Sequence, residues 1–212
     1  MMTVRERKDG QWNVQELVKH SADESAGEFH GSVALKNGDL KVETQTGDIY
    51  TFEKVECDLT RGEDEKIKGT LAGEFLKVPF DGDLSYTDEN NFEGNIQTEP
   101  ASLQFLKPLI EKMPGAVYSF DIRSGMGEVT GARIWRSDGV LSYHVKGRLD
   151  QTAVSYENYA LTDVEAFFDI CDGVLQIENF SGKVNGQIIA GSGAMNWKGE
   201  DPLISGNVNF SY

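Results

Sequence analysis

The chain has 212 residues, 39% hydrophobic and 26% charged, a balance that fits a folded protein and excludes a disordered one. Its net charge of −15 leaves no basic stripe to displace counterions, which argues against nucleic acid and against direct binding to an anionic membrane surface. No apolar run reaches the ~18 residues of a membrane span, and the opening MMTVRERKDGQW lacks the apolar core of a signal peptide.

Such a chain is expected to be either cytoplasmic or a segment of something longer. Its two cysteines, Cys57 and Cys171, lie far apart and form no ligand-spaced cluster; they read as buried or idle thiols. The 23 glycines against 5 prolines point to many turns and bulges.

The first element expected in chain order is a short helix in DGQWNVQELVKHS. Asn13 stands as N-cap and Glu16 in the capping-box position, with Val14, Leu17 and Val18 on one face. In SVALKNGDLKV, Asn37-Gly38 suits a two-residue type I′ turn, which sets Leu35 against Leu40 and Val33 against Val42. A three-residue loop at Thr46–Asp48 would set Val42 against Phe52. Another at Asp81–Asp83 would set Phe80 against Leu84. The first half therefore reads as a meander of short antiparallel strands.

TEPASLQFLKPLIEKMPG reads as a second helix, with Pro100 near its start, Leu103, Leu106 and Ile110 at helical spacing, and Pro108 as a kink. Strands then resume. Leu141, Tyr143, Val145 and Leu149 alternate with Ser142, His144, Lys146 and Arg148. Val164, Ala166, Phe168 and Ile170 alternate likewise, as do Val208, Phe210 and Tyr212 against Asn207, Asn209 and Ser211. Period two gives each sheet one apolar and one wet face. In SGKVNGQIIAGSGAMNWKG the phase changes from Val184, Ile188 and Ala190 to Met195 and Trp197, which places a turn or bulge at Gly191-Ser192-Gly193.

A faint repeat links Gly69, Gly73, Gly82 and Gly94 with Gly182, Gly186, Gly193 and Gly206. The organisation that follows is a leading helix segment (1–28), a first β-module (29–99), a connecting helix (100–115) and a second β-module (116–212), forming one continuous unit. The fold class expected is mainly β: an elongated antiparallel sheet of two repeated modules with two short helices.

Catalytic constellations are weak. His20, His30 and His144 are the three histidines, and His144 falls on the polar face of its strand. No HExxH, phosphate-binding loop, nucleophile elbow or paired cysteines occur. Acidic GEDE at Gly62–Glu65 and Asp81-Gly82-Asp83 lack the ligand spacing of an EF-hand, and turn chemistry explains them without a metal. No catalytic residue, metal or cofactor is assigned. A glycan-processing enzyme using Asp81 and Asp83 is the weakest of the readings. What stands out is the apolar face, which the two short helices could only partly cover. Either the sheet folds over on itself, or part of that face stays open as a groove.

The stretch ENFSGKVNGQIIAGSGAMNWKGEDPLISGNVNF resembles the repeated signature of the AsmA/TamB superfamily. LSYHVKGRLDQTAVSYENYALTDVEAFFDICDGVLQIENF resembles the strand ladder that leads into it, and RERKDGQWNVQELV is similar to a further element of that superfamily. The resemblance implies a segment of a large envelope protein of diderm bacteria, with the full-length protein anchored in the inner membrane and reaching through the periplasm. It implies a U-shaped β-trough (a β-taco) that carries phospholipid between the membranes. The implied partners are phospholipid acyl chains, an outer-membrane barrel protein linked to outer-membrane biogenesis, and further β-modules of the same chain, with no nucleic acid. Residues expected to line the groove are Leu141, Tyr143, Val145, Val184, Ile188, Met195, Trp197, Val208 and Phe210. The alternative is a structural or interaction scaffold of the envelope with a closed core and no lipid.

Overall fold

The computed structural model describes residues 2–5, 31–43, 47, 49–62, 66–88, 90–105, 121–156, 159–198 and 203–211. The protein is mainly β, built of antiparallel meanders that do not close into a barrel, with very little helix. Its chain divides into two compact units, Met1–Phe92 and Glu93–Tyr212.

The first unit holds β1 (Met2–Arg5), β2 (Gly31–Glu43), β3 (Ile49–Arg61), β4 (Ile67–Phe75) and β5 (Val78–Asp88), in that spatial order. β1 runs parallel to β2, and the other pairs are antiparallel. The second unit holds all but the first two residues of β6 (Asn91–Thr98), and β7 (Ala101–Ser102), β8 (Asp121–Ser137), β9 (Val140–Tyr156), β10 (Tyr159–Cys171), β11 (Val174–Val184), β12 (Gln187–Asn196) and β13 (Leu203–Ser211). From β8 to β13 the spatial order is the chain order; β6 lies beside β8, and β7 also pairs with β8.

Residues 103–105 are helical, whereas Ala101–Ser102, expected inside the connecting helix, form β7. The expected kink at Pro108 and the first helix at Asn13 lie outside the described residues.

Four hairpins turn through two residues that both take positive φ, the backbone of a type I′ turn. These are Leu76-Lys77, Asp138-Gly139, Asp172-Gly173 and Asn185-Gly186. Two of the turns are also tied to the strand beyond. Asp172 accepts the Tyr143 N–H at 2.8 Å, and Asn185 accepts that of Ala160 at 3.2 Å. A short polar side chain at the first turn position thus docks each turn on its neighbour.

Several sequence expectations are corrected here. Asn37-Gly38 does not close a hairpin. It sits inside β2, where Asn37 has φ 51° and the register with β3 slips on either side of Gly38. Leu35 faces Cys57 and Leu40 faces Phe52, not each other. A one-residue bulge shifts the side-chain phase just as a two-residue turn does, and the bulge lets thirteen-residue β2 pair along β3 on both sides of it.

The 42–52 hairpin does form, but Val42 faces Tyr50, two residues from the expected register. A shift of two leaves every side chain on its expected face. Asp81-Gly82-Asp83 lies within β5, with the actual turn at Leu76-Lys77.

Other bulges stand in rows. Lys54 in β3 lies beside the Asn37 bulge, since Gly38 pairs with Val55. In the second unit the positive-φ residues Gly125, Gln151 and Asp163 interrupt β8, β9 and β10 side by side. Each bulge bends its strand and adds twist, so a row of them bends the sheet along a line.

Candidate ligand-binding face

The register of the second unit sorts its side chains into two faces. On one, Ala132, Val145, Ile170, Leu175, Met195 and Ile204 form a cross-strand row through β8 to β13. Parallel to it run Val129, Gly147, Phe168 and Ile177, then Gly127, Leu149, Ala166, Phe180, Gly191 and Val208. At the bulged end Thr152 pairs with Val164, and Gly182 pairs with Ile189, which in turn pairs with Phe210.

Burial on this face is uneven. Thr152 (1% exposed), Val164, Ala166 and Ile189 are buried at the bulged end. Farther along, Ala132, Val145, Ile170, Leu175 and Met195 are only half-buried, and Ile204 is exposed. A closed core would bury side chains of this kind almost fully. The face therefore has a packed end and a long apolar stretch that protein covers only in part.

Two glycines on this face show how the sheet is packed. A Cβ on Gly147 would stand 2.3 Å from Phe168 Cζ and as close to the Glu128 carbonyl oxygen. One on Gly191 would stand 3.0 Å from Phe180 Cε1. Each absent side chain lets the aromatic of the neighbouring strand lie down across the sheet. The surface that results is low and apolar rather than studded with side chains.

The opposite face is charged and largely satisfied by itself. Arg148 donates to Glu128 at 2.6 Å, Lys183 to Asp163 at 2.8 Å, and Arg133 makes a two-point contact with Glu93 at 2.9 and 3.2 Å. The Arg133 guanidinium also lies 4.8 Å from the Trp135 ring centroid. His144 Nε2 is 2.7 Å from Asp169 Oδ1, and Lys146 stands 3.6 Å from the same carboxylate. His144 is thus half-buried and held against the Asp169 carboxylate. Such exposed pairs stabilise by roughly 0–1 kcal/mol each. Among the described residues, no group of three or more His, Cys, Asp and Glu could hold a metal ion.

Of the groove residues expected from sequence, Leu141, Tyr143, Val145, Val184, Met195, Val208 and Phe210 lie on the apolar face. Leu141 and Phe210 are each 55% exposed and Val208 49%; the other four are half-buried. Trp197 falls just past β12, where its N–H donates to the Gly173 carbonyl at 3.0 Å.

Ile188 is a correction. It pairs with Lys183 on the charged face, and Ile189 takes the apolar side. The cause is the turn at Asn185-Gly186, which flips the phase between Val184 and Ile189. β12 keeps its register with β13 through Gly191-Ser192-Gly193, and the register shift with β11 at the same level, between Ile177 and Phe180, puts the extra residue on β11, so β12 itself does not turn there. The central row also contains Ile170, Leu175 and Ile204, which the expected lining omitted although their alternation was in the sequence.

The first unit repeats the two-faced plan. Its apolar face carries Leu40, Phe52, Phe75 and Val78 in one row and Leu35, Cys57, Leu71 and Gly82 in another. Phe52 stacks on Phe75 with centroids 4.8 Å apart and meets Phe80 edge-on at 5.9 Å. Val55, Val78 and Phe80 are buried there. Burial pushes the Cys57 thiol pKa up, and the Asp58 charge adds to the rise. Both Cys57 and Cys171 are free thiols. Among the described residues, each apolar face ends in one cation, Arg61 beside Ile67 in the first unit and Arg136 beside Leu141 in the second.

No protein-family model, characterised protein or solved structure matches the chain.

Proposed function

We propose that the chain is a lipid-binding segment of an inter-membrane phospholipid bridge, of the kind the AsmA/TamB resemblance implies. The apolar face would form the wall of a trough built of two related modules. The observation that carries this reading is the central row from Ala132 to Ile204, apolar on all six strands yet incompletely covered by protein. An acyl chain laid along it would gain about 0.8 kcal/mol for each methylene removed from water. Its headgroup would stay in solvent, and Arg61 and Arg136 stand where a phosphate could meet a positive charge. The bulge rows support curvature, because they bend adjacent strands at the same level. Binding of this kind needs no catalytic group, cofactor or metal.

An envelope location, an inner-membrane anchor elsewhere in the full-length protein, an outer-membrane barrel partner and further β-modules belong to the same proposal. The test is to purify the chain from bacterial membranes and analyse bound lipid by mass spectrometry. Stoichiometric phospholipid that is lost on Leu175→Lys supports the reading. A lipid-free protein that takes up no fluorescent phospholipid from vesicles leaves the closed scaffold as the better account.

A further inference from the structure

The register of the first unit leads its apolar face toward a charge. Cys57, Leu59 and Arg61 share one face of β3 by alternation. Across the sheet run the rows Cys57–Leu71–Gly82, Leu59–Gly69–Leu84 and Arg61–Ile67–Tyr86, all half-buried. A Cβ on Gly69 would stand 2.7 Å from Leu59 Cδ2, so Leu59 lies across the glycine and keeps this floor low. Val55, Val78 and Phe80 close the far end by burial. From Val55 to Arg61 the strand rises about 20 Å at ~3.3 Å per residue. An acyl chain in one leaflet spans about 15 Å, half of a ~30 Å bilayer core.

Arg61 ends β3, and just beyond it the Gly62 N–H donates to the Lys66 carbonyl at 3.1 Å. Its Nε is buried and has no hydrogen-bond partner among the described residues. A buried guanidinium donor left unmatched is costly, and folded proteins satisfy such groups with an acceptor. The fork made by Nε and one Nη fits two oxygens of a phosphate. Arg136 ends the second unit's apolar face but is already engaged within the protein.

We propose that Arg61 binds the phosphate of an anionic phospholipid whose acyl chain lies over Leu59, Leu71 and Cys57 toward Val55. This names the cargo class of the lipid-binding face and rests on that reading. Charge and floor act together. The net charge of −15 opposes a free anion, so a soluble phosphate gains too little at Arg61 alone. Burial of the acyl chain supplies the rest. A phosphocholine headgroup carries its own cation beside the phosphate, which competes with Arg61, so the site selects net negative headgroups.

The test reads the first unit through Cys57, a free thiol on the same floor. Its alkylation by N-ethylmaleimide in the 212-residue chain is followed by mass spectrometry with lysophosphatidylglycerol or lysophosphatidylcholine of equal chain length, both kept monomeric. The anionic lipid should protect Cys57 at about tenfold lower concentration. In Arg61→Gln that advantage should vanish, and Arg61→Lys, which keeps the charge but not the fork, should retain part of it. Circular dichroism checks that both variants keep their fold. Glycerol 3-phosphate at the same concentrations should give no protection. Equal protection by both lipids, or an advantage that survives Arg61→Gln, overturns the role of Arg61 and leaves the lipid reading standing. Protection by glycerol 3-phosphate as strong as by the lipid overturns it too, since the site would then take the free anion. No protection by either lipid overturns the inference together with lipid binding on this face.

Discussion

The two faces of the second unit are made by the same strands and differ in how they are satisfied. The charged face closes on itself through Arg148–Glu128, Lys183–Asp163, Arg133–Glu93 and His144–Asp169, and asks for nothing further than water. The apolar face packs tightly only near Thr152, Val164 and Ile189 and leaves the Val145–Ile170–Leu175–Met195 row partly open. The difference teaches where to look for function in a sheet without a catalytic cluster: on the face whose chemistry its own residues leave incomplete.

The strongest way to break this contrast is to carry the charge of one face onto the other. Leu175→Lys sets an ammonium in the middle of the apolar row, and retained phospholipid should fall at least tenfold, measured by mass spectrometry. Ile188→Lys is the matched control, since Ile188 already shares the charged face with Lys183, and lipid content should not change.

A second test concerns packing. Gly147→Val drives new atoms into Phe168 and the Glu128 backbone, and the cost should be roughly 1–3 kcal/mol. It would be read as a lower urea midpoint at unchanged slope. Gly186→Ala, in the turn between β11 and β12, meets no neighbouring atom and pays only for its positive φ, so its loss should be smaller, about 1 kcal/mol.

Two smaller effects sharpen the comparison. Arg136→Ala should lower the preference for anionic over zwitterionic phospholipid a few-fold while leaving total binding in place. Cys57 lies on the apolar face of the first unit with its pKa raised by burial, whereas Cys171 is exposed on the charged face of the second. Only the thiolate reacts, so alkylation at neutral pH should be faster at Cys171. Added phospholipid should slow Cys57 further and leave Cys171 unchanged.

Much of this was legible in the sequence. Alternation put Leu141–Leu149, Val164–Ile170 and Val208–Phe210 on the faces they occupy, because a half-buried strand repeats every two residues whatever its partners. What alternation does not encode is where a phase change comes from. Asn37-Gly38 and Asn185-Gly186 carry the same two residues and both flip the phase. One is a bulge inside β2, and the other turns β11 into β12.

Asp81-Gly82-Asp83 is the converse case. A three-residue loop and an uninterrupted strand leave Phe80 and Leu84 on the same face, so the pattern fits both. Leu76-Lys77 turns the chain with no glycine, asparagine or aspartate to announce it. Pairing across distant strands decides these points, and that information is spread over the whole chain. Placing Ile188 in the groove came from a single misplaced phase change, at Gly191 instead of Asn185.

The account's central claim is that lipid lies on one face of the sheet and not the other. A photoreactive amino acid placed at Met195, and separately at Ile188, tests it in membranes. The account predicts a phospholipid adduct from position 195 and none from position 188. Equal labelling from both positions, or labelling from 188 alone, would contradict it.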